Sequence, residues 1–329
     1  MKTIVKIEIA LLVLVALVAA GMVMWSEGVF DLLHEPVIAQ REAPAIPTDP
    51  PAEPPLEKTA PQKEQTKEIT RQITAQKYFA YDVRQGEYLL IQGSSDERIY
   101  PASITKLLSA YVVLQHMEPT DTVKVGDALN LVQLDSSVAG LEEGDELTVE
   151  QLIAAMMLPS GNDAAQVAAV AVGRKFANNS NFPYEDAVKL FVMEMNRQAE
   201  WIGMTGSHFV NPDGFHHEDH YTTMNDLVRL CETVLMNETI LKYTGSLEVT
   251  VEQSDRKLEW VNTNVLLHEE TEVYHPNAIG LKTGYTSKAG NCLVSAFFME
   301  DRVLLIGVFG CPAFTDDRYL DTVAIYNSI

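Results

Sequence analysis

The order of apolar and polar positions divides the chain into three stretches. From Ile9 to Trp25 apolar residues run without a charge. From Glu35 to about Thr70 prolines alternate with charges and apolar residues are few. From about Ala75 the pattern shifts between the short period of strands and the longer period of helices. Lys77–Val83 and Glu87–Gln92 read as two strands about the turn Arg84-Gln85-Gly86. A helix is expected just after Pro101-Ala102, running through Leu107, Leu108, Val112, Val113 and Leu114. Thr148–Met157, Asp163–Phe176, Asp186–Ile202 and Met224–Leu235 read as further helices. Ile279–Tyr285, Cys292–Met299 and Arg302–Val308 are short apolar runs of strand type, the last two joined by Glu300-Asp301, and Asp316–Asn327 reads as a closing helix. Strands at both ends with helices between them predict a mixed α/β (α+β) fold: an antiparallel sheet flanked by helices, with a helical insertion.

At about 1.5 Å per residue, the Ile9–Trp25 run almost matches the ~30 Å hydrocarbon core of a bilayer. Lys2 and Lys6 stand in front of it. A positive flank stays in the cytoplasm, so the rest of the chain is expected outside. The run reads as an uncleaved anchor. A signal peptide cut after Gly21, with Ala19 and Gly21 as the small residues, is the alternative and exports the chain equally. Pro36, Pro44, Pro47, Pro50, Pro51, Pro54, Pro55 and Pro61 make the next stretch an extended linker with a reach on the order of 100 Å. The expected organisation is a membrane anchor or signal segment at 1–34, a Pro-rich linker at 35–74 and one folded domain at 75–329. That domain is expected at the cell membrane, on its extracytoplasmic side.

Charge narrows the partners. The formal net charge is −22, which repels nucleic-acid phosphate and anionic lipid heads alike. Nucleic acid is therefore not an expected partner, and any membrane attachment must be hydrophobic. Cys231, Cys292 and Cys311 have no metal-site spacing and form no disulfide framework, so they read as small buried hydrophobes.

Three short segments can carry chemistry. In Ser103-Ile104-Thr105-Lys106 the serine falls in the first turn of the expected helix and the lysine three residues on shares its face. The positive end of the helix favours an alkoxide-like serine and a neutral lysine, which can then accept the serine proton. Ser160-Gly161-Asn162 sits between two apolar helices, where a loop can aim a hydroxyl and an amide into a cleft. Lys282-Thr283-Gly284 lies late in an expected strand. Its lysine and threonine can bind a carboxylate, and its glycine leaves room for a ligand against the backbone. Taken singly, each has an ordinary reading, as a surface pair, a helix cap and a strand-ending turn.

Together, and in this order, they match the three-part signature of serine β-lactamases and penicillin-binding proteins. The chain resembles the D-alanyl-D-alanine carboxypeptidases, the low-molecular-mass serine penicillin-binding proteins, from about Lys77 to its end. The stretches that carry the likeness are Tyr100–Lys106, Gly144–Val149, Ser160–Ala165, Asn211–Gly214 and Gly280–Thr286. Two details depart from the family: Phe215 stands where leucine is usual, and threonine stands in His220-Tyr221-Thr222-Thr223 where serine is common. The chain also stops soon after the Asp316 helix, where many relatives continue into a β-rich domain and an anchor helix.

The resemblance implies a β-lactamase/transpeptidase-like fold and removal of the terminal D-alanine from peptidoglycan stem peptides. Ser103 is the implied nucleophile, Lys106 its base, Ser160 a proton relay, Asn162 the group that orients the acyl side, and Lys282 a source of positive potential. Backbone N–H groups of Ser103 and Tyr285 are the implied oxyanion hole. Gly284 lies against the substrate, and Thr283 with Arg318 is expected to hold its terminal carboxylate. No metal or organic cofactor is expected, and β-lactam antibiotics are expected to acylate Ser103.

Two rivals stay open. A serine β-lactamase shares the three motifs but also needs a deacylating glutamate in an E-x-x-L-N string, which is missing between Asn162 and Lys282. A non-catalytic penicillin-sensing or wall-binding module would keep the fold without turnover. A zinc peptidase reading of His216, His217, Asp219 and His220 is disfavoured, because those residues are crowded rather than one helical turn apart.

Overall fold

The structure, a computed structural model, describes residues 69–329. The Ile9–Trp25 run and almost all of the Pro-rich stretch lie outside the described residues. Five strands form one antiparallel sheet: β1 (Lys77–Asp82), β2 (Glu87–Gln92), β7 (Ala278–Thr286), β8 (Gly290–Met299) and β9 (Arg302–Cys311), in the order β2-β1-β9-β8-β7. The long apolar runs in β8 and β9 are buried on both faces, which places these strands at the centre. Asp82 fixes the first hairpin. Its fully buried carboxylate accepts the Arg84 and Gln85 amides, each at 2.9 Å, and pairs with Arg302 at 3.0 Å.

Between β2 and β7 the chain builds a helical lobe against one face of the sheet. It contains α1 (Thr105–His116), α2 (Val149–Met157), α3 (Asn162–Phe176), α4 (Tyr184–Trp201), α5 (Met224–Leu235) and α6 (Glu238–Gly245). α1 lies at its centre, with Leu107, Leu108, Ala110, Val112 and Val113 fully buried. A capping box between Thr148 and Gln151 starts α2, and the Thr223 and Asn237 side chains cap α5 and α6. α7 (Asp317–Asn327) covers the other sheet face, where Tyr319, Ile325 and Tyr326 cluster with Leu293, Phe297, Leu304 and Ile306.

The mixed fold with an antiparallel sheet and a helical insertion is the one expected from the sequence. Three features lay outside that expectation: α6, the short pair β3 (Thr122–Lys124) and β4 (Glu146–Thr148), and the hairpin β5 (Glu248–Glu252) and β6 (Lys257–Val261). The residues just before β1 are tied to α7. Asp321 of α7 is fully buried and accepts the Thr74 amide, the Thr74 hydroxyl and the Ala75 amide, each at 2.9 Å. Arg71 pairs with Asp317 at 2.8 Å. Among the described residues, no helix is long and apolar enough to cross a membrane.

Candidate active site

The three motifs meet where the helical lobe touches the sheet edge. Ser103 lies in a 3-10 turn, Ala102–Ile104, that leads straight into α1. Lys106 follows on the first turn of α1 and is fully buried. Its Nζ lies 3.0 Å from Ser103 Oγ, 2.8 Å from Asn162 Oδ1 and 2.7 Å from the Asp213 carbonyl oxygen. As an ammonium group it donates to all three. As a neutral amine it can keep its two N–H bonds on Asn162 and Asp213, which turns the lone pair toward the Ser103 hydroxyl.

Burial lowers the Lys106 pKa to about 8, while the carboxylates of Asp213 and Asp163 pull it upward. A base with this value is partly deprotonated near neutrality, which suits proton abstraction. Lys282 is also fully buried. Burial carries its pKa well below the ordinary range, and the nearby charges of Lys106 and Arg318 act in the same direction.

Backbone geometry holds the serine in place from two sides. Gly214 has φ +82, and a Cβ there would stand 1.9 Å from the Ala102 carbonyl oxygen. On β7, a Cβ on Gly284 would stand 3.1 Å from the Pro101 oxygen and 3.2 Å from the Ser103 nitrogen. The Ser103 amide therefore lies against the strand one residue before Tyr285. Each motif also carries or follows a non-glycine residue with positive φ: Ala102 at 48°, Ser160 at 63° and Leu281 at 83°. Such conformations cost of order 1–3 kcal/mol each and persist only where their surroundings enforce them.

The Ser160 turn is enforced by its neighbours. The Gly161 amide donates to Ala155 O at 2.9 Å, the Asn162 amide donates to Ser137 O at 2.8 Å, and a Cβ on Gly161 would stand 2.8 Å from Ala155 O. Asp163 ties this turn to the 139–141 loop by accepting the Ala139 amide at 2.8 Å and the Leu141 amide at 3.0 Å. On the β7 side, Lys282 Nζ donates to Thr283 O at 3.2 Å. Arg318, at the start of α7, donates to Asn291 Oδ1 at 3.2 Å and to Gly284 O at 3.4 Å. Lys106 thus joins Ser103 and Asn162, while Arg318 lies against Gly284 on β7.

Three contributors were not singled out. Asp213 supplies the third acceptor of Lys106, and Gln166 donates to the Asp213 carboxylate at 2.8 Å. Thr263 ties the end of α2, β7 and α7 together. Its amide donates to Leu158 O at 3.1 Å, its hydroxyl meets that of Thr283 at 2.8 Å, and its carbonyl accepts from Tyr319 at 2.7 Å. A signal existed for Gln166, which stands one helical turn after Asn162 on an alanine- and valine-rich helix. The four residues weighed as a metal cluster make other contacts. His216 packs edge-on against Tyr100, His217 Nδ1 accepts the Asp219 amide, and His220 is buried against Thr105. Among the described residues, no group of three His, Cys, Asp or Glu is placed to hold a metal ion.

An antiparallel sheet, a helical lobe and a serine–lysine pair at their junction define the DD-peptidase fold class. The Streptomyces K15 DD-transpeptidase crystal structure is similar to this chain at 29% identity and a TM-score of 0.70, over 78% of this chain and 97% of that one. The chain belongs to the D-alanyl-D-alanine carboxypeptidase family, whose sequence pattern matches residues 61–312. It is 30% identical to D-alanyl-D-alanine carboxypeptidase DacF of Bacillus subtilis (strain 168), over 68% of this chain and 54% of that protein. It is 31% identical to DacA of Escherichia coli (strain K12), over 73% of this chain and 57% of the relative. The chain thus spans little more than half the length of these curated relatives.

Proposed function

We propose that this chain is a serine D-alanyl-D-alanine carboxypeptidase that removes the terminal D-alanine of peptidoglycan stem peptides. The observation that carries this reading is the Lys106 amine, buried and 3.0 Å from Ser103 Oγ, with two further acceptors to hold its N–H bonds. Ser103 Oγ attacks the carbonyl carbon between the two D-alanines, and its proton passes to Lys106 Nζ. The resulting oxyanion is received by the Ser103 and Tyr285 amides. The C–N bond then breaks, and the leaving nitrogen takes a proton relayed from Lys106 through Ser160. Asn162, whose Oδ1 is held by Lys106, turns its amide nitrogen to the acyl chain. Lys282, whose charged form is favoured once the substrate carboxylate arrives, supplies positive potential, and Thr283 and Arg318 receive the terminal carboxylate across Gly284. Water, deprotonated by Lys106, cleaves the ester. No step calls on a metal or organic cofactor.

Penicillin acylates the same serine, and the adduct is long-lived. The two buried carboxylates nearest Lys106 are both engaged. Asp163 accepts three amides and Asp213 accepts from Gln166 and Phe215, so neither is free to activate water. This separates the reading from a β-lactamase. Attachment to the outer face of the cell membrane through Ile9–Trp25 is part of the proposal. Its support is the uncharged run behind Lys2 and Lys6 and the Pro-rich stretch after it.

Intact-mass measurement with benzylpenicillin, alongside D-alanine release from a D-Ala-D-Ala peptide, tests the reading. The protein is expected to release D-alanine and to gain one penicilloyl mass that persists for minutes. Ser103→Ala should lose both. A labelled Ser103→Ala protein, or rapid penicillin hydrolysis with no adduct and no D-alanine, overturns the reading.

A further inference from the structure

The Asn211–Gly214 loop carries the inference. It presses on the nucleophile's turn through Gly214, yet none of its side chains reaches Ser103 in the scheme above. Asp213 within it is 1% exposed. Its carbonyl accepts Lys106 Nζ at 2.7 Å, the shortest of that amine's three bonds. Its carboxylate accepts Gln166 Nε2 on one oxygen and the Phe215 amide on the other, both at 2.8 Å. Asn162 and Gln166 lie one turn apart on α3. That helix therefore reaches Lys106 twice, directly through Asn162 and indirectly through Gln166 and Asp213. Neighbouring bonds make the loop rigid: Ser109 Oγ donates to Pro212 O at 2.6 Å, the Gly214 amide donates to Asn211 Oδ1 at 2.8 Å, and the Val210 amide donates to His220 Nδ1 at 3.2 Å.

We infer that Asp213, locked by Gln166, is a positioning residue for Lys106: its carbonyl aims the amine at Ser103, and its buried carboxylate controls how readily that amine gives up its proton. The inference rests on the reading of Lys106 as the base. Four charged or titratable groups face the Lys106 amine. Asp213 and Asp163 retain its proton, and the charge of Lys106 in turn discourages protonation of Lys282 on β7 and of the buried His220 ring. Of the two carboxylates, Asp163 is bound by the Ala139, Leu141 and Ala164 amides. Asp213 alone also holds the amine through its own backbone. Asp213 is the stronger of the two charges that pull the Lys106 pKa upward, against burial, to about 8. Without that charge the amine loses its proton at lower pH, so Ser103 is activated at lower pH.

The test is the pH dependence of the second-order rate of Ser103 acylation by benzylpenicillin, followed by intact mass between pH 5.5 and pH 9. Both pH limits are chosen to bracket a base titrating near about 8. The protein as it stands should show a rate that rises with pH to a plateau. Asp213→Asn should move that rise down by about one pH unit, the low end of what an adjacent opposite charge produces. Below the rise, its rate relative to its own plateau should be about tenfold higher. A lower plateau with the rise unmoved would mean that Asp213 is only structural support, and would overturn the inference. If Asp213→Asn does not fold, Gln166→Leu carries the test. Removing the donor leaves the carboxylate less neutralised, so the rise should move to higher pH, and an unmoved rise again overturns the inference. A flat profile in the unaltered protein would instead overturn the assignment of Lys106 as base, which keeps the two failures apart.

Discussion

Acid should destabilise this protein through one buried histidine. His220 lies behind the nucleophile's helix at 2% exposure. Its Nδ1 accepts the Val210 amide at 3.2 Å, which leaves the ring proton on Nε2 to donate to Thr105 Oγ1 at 2.8 Å. A second proton would set Nδ1–H against a backbone N–H inside the core. Burial, with the nearby His208, His217, His216 and Lys106, pushes the His220 pKa down to about 3. The unfolded chain, with a pKa of about 6.5, binds this proton first, so folding stability falls as pH falls through that window. The slope approaches ~1.4 kcal/mol per pH unit, and the loss at pH 4.5 relative to neutrality is about 2–3 kcal/mol. Glu194 is held at a pKa of about 2 by Arg197, and Gln198 and His116 also hydrogen-bond it, so its loss falls mainly below the ordinary carboxylate value of 4.5. Urea unfolding, followed by fluorescence of the buried Trp260, measures the effect at pH 7 and pH 4.5. His220→Gln keeps a donor for Thr105 but leaves the Val210 amide unpaired, at a cost of about 1–3 kcal/mol. The variant should be weaker at pH 7, with the gap narrowing or vanishing by pH 4.5. His275, whose pKa burial also lowers, titrates in both proteins and cancels in the difference. A gap that stays constant across this range would refute the reasoning.

Three further outcomes are expected. Gly284→Ala brings a Cβ to 3.1 Å from Pro101 O and 3.2 Å from the Ser103 nitrogen, so the nucleophile must shift. Benzylpenicillin acylation should slow by about tenfold or more with little change in melting temperature, since misplacement acts on the barrier more than on the fold; an unchanged rate would refute it. EDTA should leave D-alanine release intact, because the proposed chemistry runs on Ser103, Lys106 and Asn162, and loss restored by zinc would redirect attention to His216, His217 and His220. Removing residues 1–35 should give a soluble, active protein, whereas the full chain should resist extraction from membranes by high salt; release by salt alone would refute anchoring by Ile9–Trp25.

Legibility in the sequence followed the length and period of each signal. The strands β7, β8 and β9 announced themselves as apolar runs because they are buried on both faces. The hairpin β5–β6 carried an equally regular alternation, Glu248-Val249-Thr250-Val251-Glu252 against Lys257-Leu258-Glu259-Trp260-Val261, but followed no motif that drew the eye. β3 and β4 are three residues each and pair across a long loop, which no local period reveals. At the site, the meeting of Ser103, Lys106 and Asn162 was legible because the chemistry needs such side chains at fixed spacing. The Asp213 carbonyl was not, since any residue offers a carbonyl and only the fold decides where it points. Thr263 was hidden for a related reason. Asn262-Thr263-Asn264 reads as a polar turn, yet all three side chains find partners inside the protein.

The latch between Thr74 and Asp321 makes the folded unit nearly a closed ring. Asp321 sits within α7, whose last residue is Asn327, and at 1.5 Å per residue the helix carries the chain only about 9 Å further. The two ends of the unit therefore lie close enough to be joined by a few glycines, and new ends could be opened at the exposed Asp255 turn of the β5–β6 hairpin. Such a circular permutant should keep the cleft intact, because Arg71, Thr74 and Ala75 would stay bound to α7, the helix that carries Arg318. In a permuted chain the order of the motifs along the sequence would change while their meeting point in space would not.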